Sequence, residues 1–287
     1  MHKEKNTFFA IVVSALILLP GISHAIPVPV DLSGWSEEGP GGGIWTVAAD
    51  NNSVFQSVNS STPTFFISDN PFINSTFTGD ITVSSTAGDD DFIGFVFGYS
   101  KPFSGNGDAS TDFDYILFDW KKSDQAGGAE EGFHLIRVLG DFSNNTIGHG
   151  SAASAFWDHD PADADAGEFT ILDSNTTAGT GWVHGTTYDF ELTYQDNLIE
   201  ITLDGGAFSN QTIFSTAGTY TSGSFGFYNY SQPSVTYAGI GEEDAPNCTD
   251  DPTLPGCGGS VPEPTTLALM GLGLAGIGWK RRKAKAA

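Results

Sequence analysis

Apolar residues recur along this chain with a period of two rather than 3.6. TYDFELTYQDNLIEITLDGG (187–206) is the clearest case: Tyr188, Phe190, Leu192 and Tyr194 alternate with Asp189, Glu191 and Thr193, a QDN turn follows, and Ile199, Ile201 and Leu203 alternate with Glu200, Thr202 and Asp204. That pattern predicts a hairpin with one buried and one wet face. Three other runs do not alternate. FIGFVFGY (92–99), DYILFDW (114–120) and FHLIRVL (133–139) are apolar at nearly every position, which predicts central strands covered on both sides. Further strands are expected at 44–48, 53–58, 64–68, 77–84, 155–157, 169–172, 224–230 and 234–238. Short strands between Gly-rich turns make an all-β sandwich or jelly roll. Gly94, Gly98, Gly223 and Gly226 fall inside strand runs, where glycine marks a bulge or a close approach of backbone.

The two ends break the pattern. MHKEKN, the apolar run TFFAIVVSALILL and then ISHA form a basic region, an apolar region and a small residue at the cleavage position. This predicts a secretory signal over residues 1–25; the apolar run falls short of the ~20 residues that a membrane span needs. At the other end an apolar run, 265–279, is followed by Lys280, Arg281, Arg282 and Lys283. Composition alone makes this a C-terminal membrane anchor, with the basic cluster held in the cytoplasm. From Gly241 to Ser260 the chain is acidic and rich in Pro, Gly and Cys, which reads as a linker.

Charge changes the picture next. Residues 26–262 hold 33 acidic residues against four basic ones (Lys101, Lys121, Lys122 and Arg137), a net −29, where the whole chain is −24. Such a surface repels nucleic acid and anionic lipid and suits divalent cations or plain solubility. Cys248 and Cys257 are the only cysteines, and in an exported chain they are expected to close a small disulfide loop in the linker. His134, His149, His159 and His184 show no ligand spacing.

Two resemblances then become visible. Val261, Pro262, Glu263 and Pro264, the apolar helix 265–279 and the basic tail with Arg281 and Arg282 together resemble the PEP-CTERM sorting signal of Gram-negative bacteria. The resemblance implies transient insertion of the tail in the inner membrane, recognition by an exosortase-type enzyme, and delivery to the cell surface or an extracellular matrix. Between the ends, FQSVNSSTP (55–63), FINSTFTGDITVSS (72–85), DDDFIGFVFGYS (89–100), DYILFDWKKSDQ (114–125), EGFHLIRV (131–138), AFWDHD (155–160), YDFELTY (188–194) and SFGFYNYSQPSVTYAGI (224–240) come in the order of the thrombospondin C-terminal domain, and the chain resembles that family over 31–240. This implies a concanavalin A-like, L-type-lectin-like jelly-roll β-sandwich over 26–240, with the linker at 241–260 and the sorting signal at 261–287. The family is secreted, binds calcium and serves adhesion. Its members precede this domain with calcium-rich repeats; here the domain is expected to begin just after the signal, so roles carried by those repeats do not transfer.

The chemistry concentrates in aspartates. Asp89, Asp90 and Asp91 stand before the apolar run 92–99, either as a hydrated turn or as ligands of calcium. Calcium needs six to eight oxygens, and successive side chains diverge at a strand entry, so at most two of the three are expected to share one ion. Asp80 from the preceding strand, and Asp112, Asp114 or Asp119 from the following one, are candidates to complete the set. DHDPADADAGE (158–168) is a second acidic stretch, read as a solvated loop or a second calcium site; it lacks EF-hand spacing. Trp120, Trp157, Trp182, Phe118, Tyr228 and Tyr230 are candidates for core packing or for a sugar platform. No nucleophile elbow, zinc-protease, P-loop or dinucleotide fingerprint is present, nor the E-x-D-x-E strand of glucanases that share this fold. The expectation is a non-catalytic, calcium-binding surface or exopolysaccharide-matrix protein acting in adhesion or biofilm assembly. The alternative is a carbohydrate-binding module for the organism's own exopolysaccharide.

Overall fold

The computed structural model describes residues 27–38, 43–100, 112–141, 154–164 and 167–244. The signal segment, Cys248 and Cys257, and the sorting tail with its apolar helix lie outside the described residues. Among the described residues no helix is long and apolar enough to cross a membrane. In chain order the strands are β1 (Val28–Pro29), β2 (Ser36–Glu38), β3 (Trp45–Val47), β4 (Val54–Gln56), β5 (Thr64–Phe72), β6 (Ser75–Val83), β7 (Phe92–Ser100), β8 (Asp112–Lys121) and β9 (Gly132–Asp141). A short helix α1 (Ser154–Asp158) follows, then β10 (Phe169–Asn175), β11 (Thr187–Tyr194), β12 (Leu198–Gly205), β13 (Phe208–Ala217), β14 (Gly223–Tyr230) and β15 (Val235–Asp244).

These strands form two antiparallel sheets. The first runs β13-β12-β11-β6-β15-β4-β3, with β1 on β15; the second runs β10-β9-β8-β7-β14-β5-β2. The period-two strands lie in the first sheet: β6, β11 and β12 alternate buried and open positions, with the buried side turned to the second sheet. β7 and β14 instead bury both sides. The inter-sheet core joins Phe77, Tyr188, Phe190 and Tyr237 of the first sheet to Phe95, Phe118, Trp120 and Phe227 of the second. Rings meet directly across the layer, Phe77 on Phe225 at 4.3 Å and Phe227 on Tyr237 at 4.4 Å between centroids. A second core covers the outer face of the second sheet, where Phe65, Phe92, Tyr115, Leu117, Ile136 and Tyr228 pack with Ala155, Phe156 and Phe169.

The all-β jelly-roll sandwich is as expected, with differences in detail. Residues 155–157 lie in α1, not in a strand, and supply apolar cover for the sheet. β13 was not foreseen, because an edge strand with one half-covered face needs few apolar residues and FSNQTIFSTA offers few. β15 continues past Ile240 to Asp244, pairing with β6 and β1, so strand replaces the first residues of the expected linker.

Two glycines hold β7 in place. Gly98 sits at φ +61° where the β7–β8 register shifts, the bulge that its position suggested. Gly94 lies so close to β8 that a Cβ would stand 1.9 Å from the Phe118 carbonyl oxygen. Gly94→Ala is therefore expected to cost about 2–3 kcal/mol as the strands are pushed apart. Urea denaturation reads this directly, and an unchanged midpoint would contradict the close approach.

Candidate functional site

The turn ending at Asp91 feeds β7 into the middle of the second sheet. Asp91 is 3% exposed, while Asp89 and Asp90 are half-buried. Lys121, fully buried at the end of β8, donates from Nζ to Asp91 Oδ1 at 2.8 Å and to the Asp90 carbonyl oxygen at 3.2 Å. The same ammonium lies 4.7 Å from the centroid of the Phe92 ring and 5.2 Å from that of Trp157. The Asp91 amide donates to Gln232 Oε1 at 2.9 Å, and its carbonyl oxygen accepts from Trp182 Nε1 at 3.0 Å. Asp91 is thus the counter-ion of a buried lysine. Burial pushes its carboxyl up, and the Lys121 ammonium pulls it back down.

Among the described residues, no cationic side chain pairs with the Asp89 or Asp90 carboxylate. Asp89 accepts from the Asp90 amide at 3.1 Å and from Asn59 Nδ2; Asp90 accepts from Ser123 Oγ and Gln125 Nε2. Asn59 Oδ1 in turn accepts from Ser231 Oγ at 3.4 Å. One oxygen from each of Asp89, Asp90 and Asp91 lies within 4.8 Å of the others. A calcium ion sits ~2.3–2.6 Å from its ligands, so oxygens at this separation can share one. The cluster offers carboxylate oxygens and no thiolate or imidazole, a set for a hard cation rather than zinc. With Asp91 neutralised by Lys121, two negative charges are left to face an ion.

Of the four other candidate calcium ligands, Asp112 opens β8 opposite Asp141, and Asp80, Asp114 and Asp119 do not join this cluster. Asp80 is on β6, which belongs to the other sheet; there it stands opposite Asp189 of β11, itself opposite Asp204 of β12. These three and Glu191, with Thr78, Thr202 and Asn210, line a cleft of about 340 Å³ on the outer face of the first sheet. Partial burial, and then Asp189 beside it, push the Asp80 carboxyl up to about 6. Asp114 is at the far end of β8, opposite Ser100, and its two oxygens accept from Arg137 Nη2 at 2.8 and 3.0 Å. Asp119 is 1% exposed on the outer face of the second sheet, with Oδ2 3.0 Å from His159 Nε2. Chain neighbours of the turn were the natural choice from sequence, but β7 pairs with β8 and β14 and the aspartates of β8 are spread along it.

In the stretch 158–168, Asp158 and Asp160 accept from backbone amides of their own turn, Asp160 capping the turn at Pro161–Asp163; Asp165 lies outside the described residues. Trp120, Trp182, Phe118, Tyr228 and Tyr230 are buried in the two cores, and Trp157 is half-buried beside the second. Sequence reasoning missed the pairing of His134 and His159, which stack at 3.7 Å between ring centroids. One is on β9 and the other follows α1, and no spacing signals a contact made only by folding α1 over the sheet.

Two antiparallel sheets closed on an aromatic core, with an oxygen-rich turn at one end, define a jelly-roll β-sandwich. The chain belongs to the thrombospondin C-terminal region family, whose model matches residues 42–243. A PEP-CTERM protein-sorting motif matches residues 260–283 and marks the protein for export and sorting to the surface or exterior. No curated protein matches the sequence. Solved structures similar in outline include a carbohydrate binding module, CBM66, from Bacillus subtilis (12% identity, TM-score 0.46, 73% of this chain and 95% of that one). They also include the exoplasmic/lumenal domain of VIP36 in a Ca2+/Man3GlcNAc-bound form (12%, 0.44, 74% and 84%) and a glycosyl hydrolase, so described provisionally, from Parabacteroides distasonis (13%, 0.41, 75% and 89%). At these scores they carry no weight as to ligand or activity.

Removing the Asp91 carboxylate strands a buried ammonium, so Asp91→Ala is expected to destabilise by about 3–5 kcal/mol. Adding Lys121→Met to that variant should restore part of the loss, and chemical denaturation of the pair checks it; no recovery would mean the two residues are not coupled. Asp80 gives a pH signature. Its raised carboxyl binds a proton more readily folded than unfolded, so it weakens the fold above pH 6, and the penalty fades as pH falls from 6 towards 3.8. Asp80→Asn should therefore melt higher than the parent at pH 7.5 and lose that margin by pH 4. An equal margin at both pH values would contradict it.

Proposed function

We propose that this protein is a non-catalytic component of the cell surface or extracellular matrix whose sandwich is braced at one end by calcium. The observation that carries the reading is the convergence of the Asp89, Asp90 and Asp91 oxygens within 4.8 Å, two of the three carboxylates having no cationic partner among the described residues. Calcium there would replace repulsion between two half-buried carboxylates by attraction to one ion. It would also tie the turn before β7 to the segments that carry Asn59, Ser123 and Gln125, whose side chains already reach these carboxylates. Family membership and the sorting motif support an adhesive or matrix-building role outside the cell, reached through an exosortase in a Gram-negative envelope and a tail held briefly in the membrane.

A second reading, a carbohydrate-binding module for the organism's own exopolysaccharide, is favoured by the cleft on the first sheet. Its threonine hydroxyls and the carboxylates of Asp80, Asp189, Glu191 and Asp204 suit the hydrogen-bonding of sugar hydroxyls. The two readings place function on different sheets, so one experiment serves both. After EDTA treatment, adding calcium at a hundredfold excess over Kd is expected to stabilise the fold by about 2.7 kcal/mol. Asp89→Asn combined with Asp90→Asn should abolish that gain. A melting temperature indifferent to millimolar calcium would end the structural-calcium reading. Glycan binding lost in Asp189→Ala but kept in the double variant would move the function to the cleft.

A further inference from the structure

The outer face of the second sheet carries ionisable groups that neither reading uses. His159 follows α1 with a left-handed backbone, φ +55°, a conformation uncommon outside glycine that His adopts more readily than most residues. That turn drives the imidazole inward, to 7% exposure. It lies with Nε2 3.0 Å from Asp119 Oδ2, its ring 3.7 Å from that of His134 and edge-on to Phe92 at 5.5 Å. Phe156 beside it packs on Phe169 and Tyr228, and Trp157 donates to the Ala126 carbonyl oxygen. Among the described residues, His134 Nδ1 and His159 Nδ1 are buried with no hydrogen-bond partner, and the Tyr228 hydroxyl faces the Asp119 carboxyl.

We propose that the segment 154–164 is an acid-released strap, latched over the outer face of the second sheet by the His159–Asp119 hydrogen bond and by the His134 ring stacked on His159. The groups facing the latch are Asp119, Lys121 and Tyr115 from β8, His134 from β9, Tyr228 and Tyr230 from β14, Glu130 from the turn before β9, and Asp158, Asp160 and Asp163 on the segment itself. The Asp119–His159 pair holds one proton and is neutral overall. A further proton makes a net positive cluster in an apolar wall, beside a second imidazole and near the Lys121 ammonium. Burial pushes both imidazoles down to about 3, helped at His134 by His159; at His159, Glu130 works the other way and Lys121 adds to the depression.

The direction follows from proton counting. Released, both imidazoles return to about 6.5 and Asp119 to about 3.9. Closed, the imidazoles stay neutral and burial keeps the proton on Asp119. Between pH ~6.5 and ~4, release takes up two protons on the imidazoles and gives up one from Asp119, a net uptake of one. Closure is therefore strongest near the top of this window and weakens as pH falls through it, by about tenfold per pH unit.

Hydrogen–deuterium exchange of the intact protein, read by mass spectrometry and corrected for the intrinsic pH dependence, tests this. Protection of 154–164 should fall about tenfold per pH unit from 6.5 to 4 while peptides of β7 and β8 keep theirs. His134→Phe keeps the stack and His159→Gln keeps a donor to Asp119; in either, the remaining imidazole and Asp119 cancel and the slope should vanish. Asp119→Asn removes the opposing proton and should steepen the slope to about a hundredfold per unit. Flat protection in the parent protein, or loss in step with β7 and β8, overturns the proposal. So does an undiminished slope in both histidine variants. If His159→Gln fails to fold, the parent and His134→Phe decide.

Discussion

The middle of the second sheet has no wet face, and most of what is distinctive here follows from that. β7 and β14 are buried along their length, so their inner side must find a partner sheet and their outer side a cover. The first sheet answers the inner side with rings; each fully buried aromatic contributes roughly 1.5–3 kcal/mol of transfer free energy. Tyr237 adds direction to that packing. Its phenol reaches from β15 through the core to the Tyr228 carbonyl at 2.8 Å and Asn229 Oδ1 at 2.9 Å, and accepts from the Gly94 amide at 3.3 Å. A hydroxyl in such a layer is costly unless bonded, so these contacts fix how β15 sits over β7 and β14.

The outer side is answered by a segment too small to be wholly apolar. Tyr115 and Leu117 on β8 continue, at the same pleat parity, into Asp119 and Lys121. Two of four successive outward positions are therefore ionisable and buried. Lys121 is matched by Asp91 at one end, and Asp119 by His159 at the other. The Asp91–Lys121 pair does not stabilise the fold relative to two well-packed apolar residues, since desolvation offsets most of its Coulomb energy. Its effect is local: it ties the turn before β7 to the end of β8, and removing either partner would leave the other charge buried and unpaired.

How far this was legible from sequence depends on what sets each feature. Period-two alternation in 187–206 and the unbroken runs at 92–99 and 133–139 correctly separated strands with one wet face from strands with none, because burial acts on each residue locally. The DDD turn was legible as a cluster for the same reason: its members are neighbours in the chain. What failed needed knowledge of pairing. Asp80 was assigned to the turn although β6 joins the opposite sheet, and Asp114 although it faces Arg137 at the far end of β8. Residues 155–157 looked like a strand because Ala155, Phe156 and Trp157 are apolar. They are apolar to cover the second core, and in α1 they do that from above the sheet. The stacking of His134 on His159 left no trace in spacing at all.

The scarcity of cations decides where a ligand has most to offer. Residues 26–262 carry four basic side chains against 33 acidic ones, and Lys121 and Arg137 are committed to Asp91 and Asp114. The other carboxylates must be relieved by different means. Exposed ones are screened within about 8 Å at physiological salt. Asp158 and Asp160 accept from backbone amides, Asp80 gains relief through its raised affinity for a proton, and burial raises the proton affinity of Asp119 in its apolar wall. Asp89 and Asp90 fit none of these completely. They are adjacent and half-buried, and among the described residues the donors to them are the Asp90 amide and the side chains of Asn59, Ser123 and Gln125. Neutral donors stabilise a carboxylate without removing its charge, so the repulsion between the two persists. A divalent ion removes both charges at once. The turn before β7 is therefore the place where calcium would change the energy of this acidic sandwich most.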